Sequence, residues 1–218
     1  GVEPKTFVVS FDSAGGSSVA SQTVEYGSKA ASPKDPTRAG YAFQGWYTAK
    51  SGGSRYDFGK PVTGGLTLYA RWKANVYTLS FDANGGSVSP GSKSVAYGGA
   101  YGQLPAPSRK GYTFQGWYTA KSGGSKIGVD TVAAGNATVY AHWAANSYRV
   151  TFDADGGSVQ TAGKTVTQDR PYGTLPTPAR AGHTFGGWYT AKSGGSRVTA
   201  STVFTAGAAQ TLFARWDA

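Results

Sequence analysis

The chain has 218 residues, among them 33 Gly, 10 Pro and no Cys or Met, and its formal charge at pH 7 is +10. Without Cys it can form neither disulfide bonds nor Cys-based zinc sites. Its Lys and Arg residues are spread along the chain, and no run of about 18 apolar residues occurs, so we expect neither nucleic acid as a partner nor a membrane span.

An internal repeat organises the whole sequence. The dipeptide FD begins at residues 11, 81 and 152, which are 70 and 71 residues apart. The string GWYTAKSGGS occupies residues 45–54, 116–125 and 187–196, and each copy closes on LYARW, VYAHW or LFARW. Because self-similarity at a fixed period is the signature of a tandem array, we predict three domains, with bounds 1–74, 75–145 and 146–218.

The first element of each copy is predicted to be a half-buried strand that turns back on itself. In the first copy Phe7, Val9 and Phe11 alternate with Val8 and Ser10, which is the period of two expected for a strand with one buried face. The sequence then continues as DSAGG, DANGG or DADGG. The Asp side chain can accept a bond from the backbone ahead and Gly tolerates positive φ, so we expect a hairpin.

A second strand is expected to end near Tyr26 in the first copy and Tyr97 in the second. Pro-rich loops then lead into GYAFQGWY, GYTFQGWY and GHTFGGWY. No segment of about ten residues shows the 3.6-residue period, so we expect little helix and only short helices. The Pro-rich crossover and the segment 201–208 are the candidate helical positions.

Two Trp residues recur at equivalent places in each copy. Trp72 shares strand parity with Leu68, so we predict that it lies in the core. The placement of Trp46 has two alternatives, because Phe43 and Trp46 have opposite parity. Either Gly45 forms a β-bulge that brings both rings to one face, or the Trp faces away from Phe43.

Together, FDANGG, GYTFQGWYT and LYARW at these spacings resemble the Listeria-Bacteroides repeat, also called the internalin B-type B repeat, over essentially the whole chain. The resemblance implies a mostly β (α+β) fold of three tandem β-grasp, ubiquitin-like modules in an elongated array. It also implies an extracellular bacterial protein, secreted or attached to the cell wall through parts of the parent protein, without catalytic activity.

Within the repeated string, packing explains GWY and turn formation explains SGG. The Lys in TAK is explained by neither, so it is either a ligand contact or a remnant of recent duplication. Outward-facing aromatic and basic residues of the last strand would extend such a site. The candidate ligand-binding residues are Tyr47, Lys50, Tyr69 and Arg71 in the first copy, Tyr118, Lys121 and Tyr140 in the second, and Tyr189, Lys192, Phe213 and Arg215 in the third.

The sequence offers few candidates for a catalytic site or a metal-binding site. Each copy offers a turn Asp and scattered surface charges, without a nucleophile beside a base or a pair of carboxylates in a cleft. Neither His142 nor His183 recurs in the other copies, and Asp153 with Asp155 lacks the further ligands of a calcium loop. We therefore expect no enzyme, no metal and no cofactor.

Two functions are compatible with these patterns, each for a monomeric chain. The first is a stalk or spacer that also serves as an adhesion module of a larger surface or secreted protein, with host surface proteins as possible partners. The second is a module that binds glycans or anionic, teichoic-acid-like polymers, appended to a secreted carbohydrate-active enzyme. A Lys beside an aromatic ring suits the second function, because the ammonium pairs with charge while the ring packs on a sugar.

Overall fold

In a computed structural model that describes all residues from Gly1 to Ala218, thirteen strands form three β-sheets. The first sheet has the order β2-β1-β4-β3 and contains β1 (Thr6–Asp12), β2 (Gln22–Glu25), β3 (Tyr41–Tyr47) and β4 (Leu66–Ala74). The second has the order β6-β5-β8-β7 and contains β5 (Val76–Asp82), β6 (Ser92–Ala96), β7 (Tyr112–Tyr118) and β8 (Ala137–Ala145). The third has the order β10-β9-β13-β11-β12 and contains β9 (Ser147–Asp153), β10 (Gly163–Thr167), β11 (Thr184–Tyr189), β12 (Arg197–Val198) and β13 (Gln210–Asp217).

The first and third sheets share one mixed topology. In the first, β1 pairs antiparallel with β2 and parallel with β4, while β3 pairs antiparallel with β4. In the third, β9 pairs antiparallel with β10 and parallel with β13, which pairs antiparallel with β11. Parallel neighbours need a crossover connection, which accounts for the long loops of each copy. The prediction of a mostly β protein is confirmed.

The predicted short helices are absent, because every regular element is a strand. In the crossover after β6, Pro105 and Pro107 lack backbone N–H groups and resist helix formation. In the segment 201–208 the chain instead forms an isolated bridge between Pro171 and Val203 and buries Phe204 completely. No helix of the structure is long and apolar enough to cross a membrane.

By its internal contacts the chain divides into two compact units. One comprises Gly1–Leu79, Lys93–Gln103 and Val129–Ala137, and the other comprises Ser80–Ser92, Leu104–Gly128 and Thr138–Ala218. The first unit contains the whole first sheet and the second unit contains the whole third sheet, while residues of the second sheet fall in both. The three domains with bounds 1–74, 75–145 and 146–218 stay a prediction.

The alternation expected for β1 is confirmed, since Val9 is fully buried whereas Val8 is 51% exposed. The turn after β1 also forms as expected. The Ala14 N–H donates to Oδ1 of Asp12 at 2.9 Å, and the chain returns as the antiparallel strand β2. The same turn bond recurs after β5 and β9, where the N–H groups of Asn84 and Asp155 donate to Asp carboxylates.

The bulge alternative for Trp46 is the correct one. The register between β3 and β4 shifts between Phe43 and Gly45, and Gly45 has a φ of 126°, in the region that favours glycine. Phe43 and Trp46 consequently face the same core, with ring centroids 5.5 Å apart. Trp46 is buried, whereas Trp72 packs against the core at its margin.

Candidate functional site

The segment that follows β3 forms a closed loop, which we call the TAK loop (residues 48–54). The Thr48 N–H donates to the Ser54 carbonyl at 2.9 Å, and the Ser54 N–H donates to Oγ1 of Thr48 at 3.0 Å. Gly52 and Gly53 have φ values of 68° and 63°. A Cβ on Gly53 would lie 2.6 Å from Oγ1 of Thr48, so no larger residue fits without moving the loop.

An arginine of β4 holds the TAK loop against the sheet. The Arg71 guanidinium donates to the carbonyl oxygen of Ala49 at 3.2 Å and to that of Gly52. It also lies over the ring of Tyr47, 4.0 Å from the centroid. The Nη2 group of Arg71 is therefore engaged by the TAK loop, although its binding role was predicted from an outward position in the strand.

The third copy repeats this arrangement and the second modifies it. Arg215 donates to the carbonyls of Ala191 and Gly194 and lies 3.7 Å over the ring of Tyr189. In the second copy His142 replaces the arginine. Its ring stacks on Tyr118 at a centroid distance of 3.8 Å, and its Nε2 donates to the Ala120 carbonyl at 2.8 Å. His142 thus supplies one of the two carbonyl contacts that the arginines supply.

The structure brings the predicted ligand-binding residues of each copy together on one face of its sheet, which we call the tyrosine–lysine face. Tyr47 is the cross-strand partner of Tyr69, and Lys50 Nζ lies 5.9 Å from the centroid of the Tyr69 ring. The equivalent cross-strand pairs are Tyr118 with Tyr140, and Tyr189 with Phe213. Lys192 Nζ likewise lies 5.9 Å from the Phe213 centroid.

The lysines of this face are exposed, and two of them lie near carboxylates. Lys121 Nζ lies 3.9 Å from Oδ2 of Asp82, and Lys192 Nζ lies 3.9 Å from Oδ1 of Asp155. Such exposed pairs contribute little to stability. In the second copy a pocket of 240 Å³ opens beside Lys121 and is also lined by Asn84, Arg109 and His142.

Most residues of the repeated string have a structural role. Gly45 forms the bulge, Trp46 fills the core, Tyr47 stacks on Arg71, and the loop from Thr48 to Ser54 closes on itself. The side chains of Lys50 and Ser51 remain outside these contacts. Ligand binding by Lys50 stays a prediction.

A second recurring arrangement joins the first sheet to the strands that follow it, and we call it the linker junction. The Asn75 N–H donates to the Gly40 carbonyl at 2.9 Å, and the Asn75 carbonyl accepts the Tyr97 N–H at 2.8 Å. The Tyr97 ring covers Gly40, where a Cβ would lie 2.2 Å from its Cγ atom. Tyr41 meets the same ring edge-on at 5.5 Å.

The junction before the third sheet uses the same backbone bonds. The Asn146 N–H donates to the Gly111 carbonyl at 2.9 Å, and its carbonyl accepts the Gln168 N–H at 3.0 Å. Gln168 replaces the Tyr97 ring and is 4% exposed. The Tyr112 hydroxyl donates to Oδ2 of Asp169 at 2.6 Å, and this bond raises the pKa of Tyr112.

Sequence reasoning did not anticipate these junction residues. The signal was present, since Asn recurs in the linkers KANV and AANS, and Gly recurs before the aromatic residue that opens β3 and β7. Thr48 and Ser54, which close the TAK loop, were also missed. Their identity in all three copies was visible, but only the folded loop shows that they bond each other.

Comparison with known proteins places the chain in a family. Residues 7–71, 77–142 and 148–215 match the Listeria-Bacteroides repeat domain. A protein of Evansella cellulosilytica named as a Gly-rich membrane protein is 34% identical over 225 residues, which cover 99% of this chain and 25% of that protein. A second membrane protein of that organism is 34% identical, with 98% of this chain and 33% of that protein covered.

Internalin H of Listeria monocytogenes is 42% identical over 118 residues, which cover 52% of this chain and 21% of Internalin H. The chain therefore spans a third or less of the length of these three relatives. All three repeats of the chain fall within the family matches. The chain belongs to the Listeria-Bacteroides repeat family and contains three tandem copies of the repeat.

Proposed function

We propose that the chain is a non-catalytic repeat region of a larger bacterial surface or secreted protein, in which it acts as a stalk or spacer and supports adhesion. The observation that carries this proposal is the linker junction. Asn75 and Asn146 each bond the backbone on both sides of a linker, and a linker held on both sides has little hinge freedom. Restricted hinges are what a spacer needs to hold its neighbours apart.

Two further observations support the proposal. The relatives named as membrane proteins are three to four times as long as this chain, as expected if the chain is one region of a larger protein. The order β2-β1-β4-β3 with a parallel central pair supports the β-grasp-like class that the resemblance implies, here without a helix. An extracellular location, secreted or attached to the cell wall, belongs to the same proposal.

The spacer role can be tested by measuring how firmly the first junction is held. Because the chain has no Cys, Thr23→Cys and Ser94→Cys give two unique positions for spin labels, on the exposed sides of β2 and β6. We expect one narrow distance distribution by pulsed electron paramagnetic resonance. Gly40→Ala should broaden it, because the new Cβ would displace the Tyr97 ring.

Gly182→Ala is the matched control for this measurement. Gly182 has a φ of 76°, close to the 79° of Gly40, but a Cβ added to it would have no neighbouring atom within 4 Å. The control should therefore leave the label distance unchanged. A broad distribution in the parent chain would show a free hinge at the junction and would refute the spacer role.

A second candidate function is the binding of glycans or anionic polymers by the tyrosine–lysine face. The observation that favours it is the exposure of Lys50, Lys121 and Lys192 beside aromatic rings or an open polar pocket. Three weak sites on one chain can give useful avidity toward a polymer that reaches several of them. Retention should fall with salt, because exposed charges are screened over about 8–10 Å near physiological ionic strength.

The test replaces all three lysines of the face by Ala and measures retention on anionic polysaccharides and cell-wall preparations at low and moderate salt. Lys29, Lys34 and Lys60 are exposed residues outside the face, so replacing them by Ala gives a control with the same change in net charge. Selective loss in the first variant would support the site. Equal retention by both variants would remove Lys50, Lys121 and Lys192 from any binding role.

A further inference from the structure

Each linker junction is built from two surfaces that belong to successive copies. The turn surface is the four-residue turn that precedes β3 or β7, namely Arg38–Tyr41 in the first copy and 109–112 in the second. The edge surface consists of the linker Asn, the first aromatic residue of the next strand, and the residue at the end of the following strand. At the first junction these are Asn75, Tyr77 and Tyr97.

The first copy carries its own edge surface, formed by Lys5, Phe7 and Tyr26. The Tyr26 N–H donates to the Lys5 carbonyl at 2.8 Å, the same distance as from Tyr97 to Asn75. The rings of Phe7 and Tyr26 are 6.3 Å apart, against 6.4 Å for Tyr77 and Tyr97. Here, however, the tyrosine is uncovered, since Tyr26 is 62% exposed. It borders an open pocket of 390 Å³ that Pro4, Lys5 and Glu25 also line.

The third copy carries the complementary turn surface, formed by residues 180–183. The His183 N–H donates to the Arg180 carbonyl at 3.1 Å, as the Tyr41 N–H does to Arg38 at 3.0 Å. Gly182 has a φ of 76°, against 79° for Gly40 and 78° for Gly111. A Cβ on Gly182 would meet nothing within 4 Å, whereas a Cβ on Gly40 would strike the Tyr97 ring. This turn therefore has the junction conformation without a partner ring.

We propose that the Tyr26 edge is a docking surface for the turn surface of another Listeria-Bacteroides repeat. The partner chemistry is that of the first internal junction, a Gly whose bare backbone lies under the ring and a Tyr ring at its edge. In the turn surface of the third copy His183 stands in the place of that Tyr. Both surfaces hold the required conformation before they meet, so docking orders few further groups. The inference rests on the same junction geometry as the proposed spacer role.

The chain itself supplies both surfaces, and omitting Gly1–Pro4 of the second copy gives a linker of the right length. In the internal linkers the closing Trp stands five residues before the next aromatic residue, as in Trp72 to Tyr77. Joining Ala218 directly to Lys5 of a second copy reproduces this spacing from Trp216 to Phe7. Lys5 of the second copy then takes the place of Asn75, and its N–H faces the carbonyl of Gly182.

The experiment compares amide hydrogen exchange in the parent chain and in this head-to-tail fusion. We expect exchange at the second Lys5 to slow by about tenfold or more in the fusion, because its N–H becomes hydrogen-bonded in a packed junction. The control is the same fusion with Gly182→Ala, whose Cβ would meet the Tyr26 ring. Exchange there should stay as fast as in the parent chain.

Either of two results would overturn the inference. Unchanged exchange at Lys5 in the fusion would mean that the Tyr26 edge faces solvent or a different class of partner. Equal slowing in the fusion with Gly182→Ala would mean that the linker context alone, without docking, protects the amide. Both results leave the spin-label test untouched, because that test concerns the first internal linker junction, at Gly40, Asn75 and Tyr97.

Discussion

The substitution of Gly40 by Ala isolates the contribution of a linker junction, because the chain offers the same turn with and without a partner. Gly40 and Gly182 share their backbone conformation. A Cβ on Gly40 would lie 2.2 Å from Tyr97, whereas a Cβ on Gly182 would enter open space. The two variants therefore share the effect of placing Ala at positive φ and differ in the displacement of the ring.

The expected magnitudes follow from these contacts. Left-handed backbone costs an Ala about 1–2 kcal/mol at either site. At Gly40 the Tyr97 ring must also move away from Tyr41 and Tyr77, which it meets edge-on at 5.5 and 6.4 Å. Each aromatic contact is worth about 0.5–1.5 kcal/mol. Gly40→Ala should thus lower the free energy of unfolding by about 1–3 kcal/mol more than Gly182→Ala.

The assay is urea-induced unfolding of the parent chain and both variants, followed by Trp fluorescence. The reduced unfolded-state entropy of Ala relative to Gly acts equally at both sites and cancels in the comparison. Equal losses in the two variants would refute the reasoning, because they would show that the Tyr97 ring yields to the new methyl group without cost.

Three further predictions concern single side chains. His142→Arg should raise the free energy of unfolding of the second copy by about 0.5–1.5 kcal/mol in urea unfolding, since an Arg can reach the second carbonyl, which His142 does not contact. A loss of stability would contradict the role of this side chain in holding the loop that follows β7. In the same assay Trp117→Phe should lower the free energy of unfolding by about 1 kcal/mol more than Trp46→Phe. The reason is that the Trp117 indole donates to a backbone carbonyl at 3.0 Å, whereas the buried Trp46 indole N–H has no protein partner. The raised pKa of Tyr112 should fall toward its ordinary value in Asp169→Ala, as followed by NMR, and an unchanged titration would exclude the bond. The stability that this bond contributes is present below the ordinary tyrosine pKa and is lost as the pH rises through the raised pKa.

The parts of the fold that depend on neighbours in sequence were predictable. The alternation at Val8 and Val9 and the Asx bond of Asp12 lie within a few residues, so the local pattern determines them. The opposite parity of Phe43 and Trp46 left two alternatives, and the structure selects the bulge at Gly45, which lets both rings reach the core.

The parts that depend on distant neighbours were not predictable. Arg71 has the parity of an outward-facing residue, but the TAK loop reaches it from 19 and 22 residues away and accepts two hydrogen bonds from its Nη2 group. Nothing in its strand pattern shows this. The helix expected in the segment 201–208 failed for a similar reason, since Val203 bridges to the distant Pro171. The linker Asn75 uses its backbone atoms, which a sequence pattern does not report.

The parallel pairing of β1 with β4 has a mechanical consequence. These strands are the first and last of their repeat, they are direct neighbours, and Val9 to Asp12 align with Leu66 to Tyr69. Tension applied to the two ends of the repeat pulls the strands in opposite directions along their axes. The hydrogen bonds between them then bear the force together in shear, instead of opening one after another as in an unzipped hairpin. The strand order thus equips each such repeat to transmit pulling force without first coming apart at its ends.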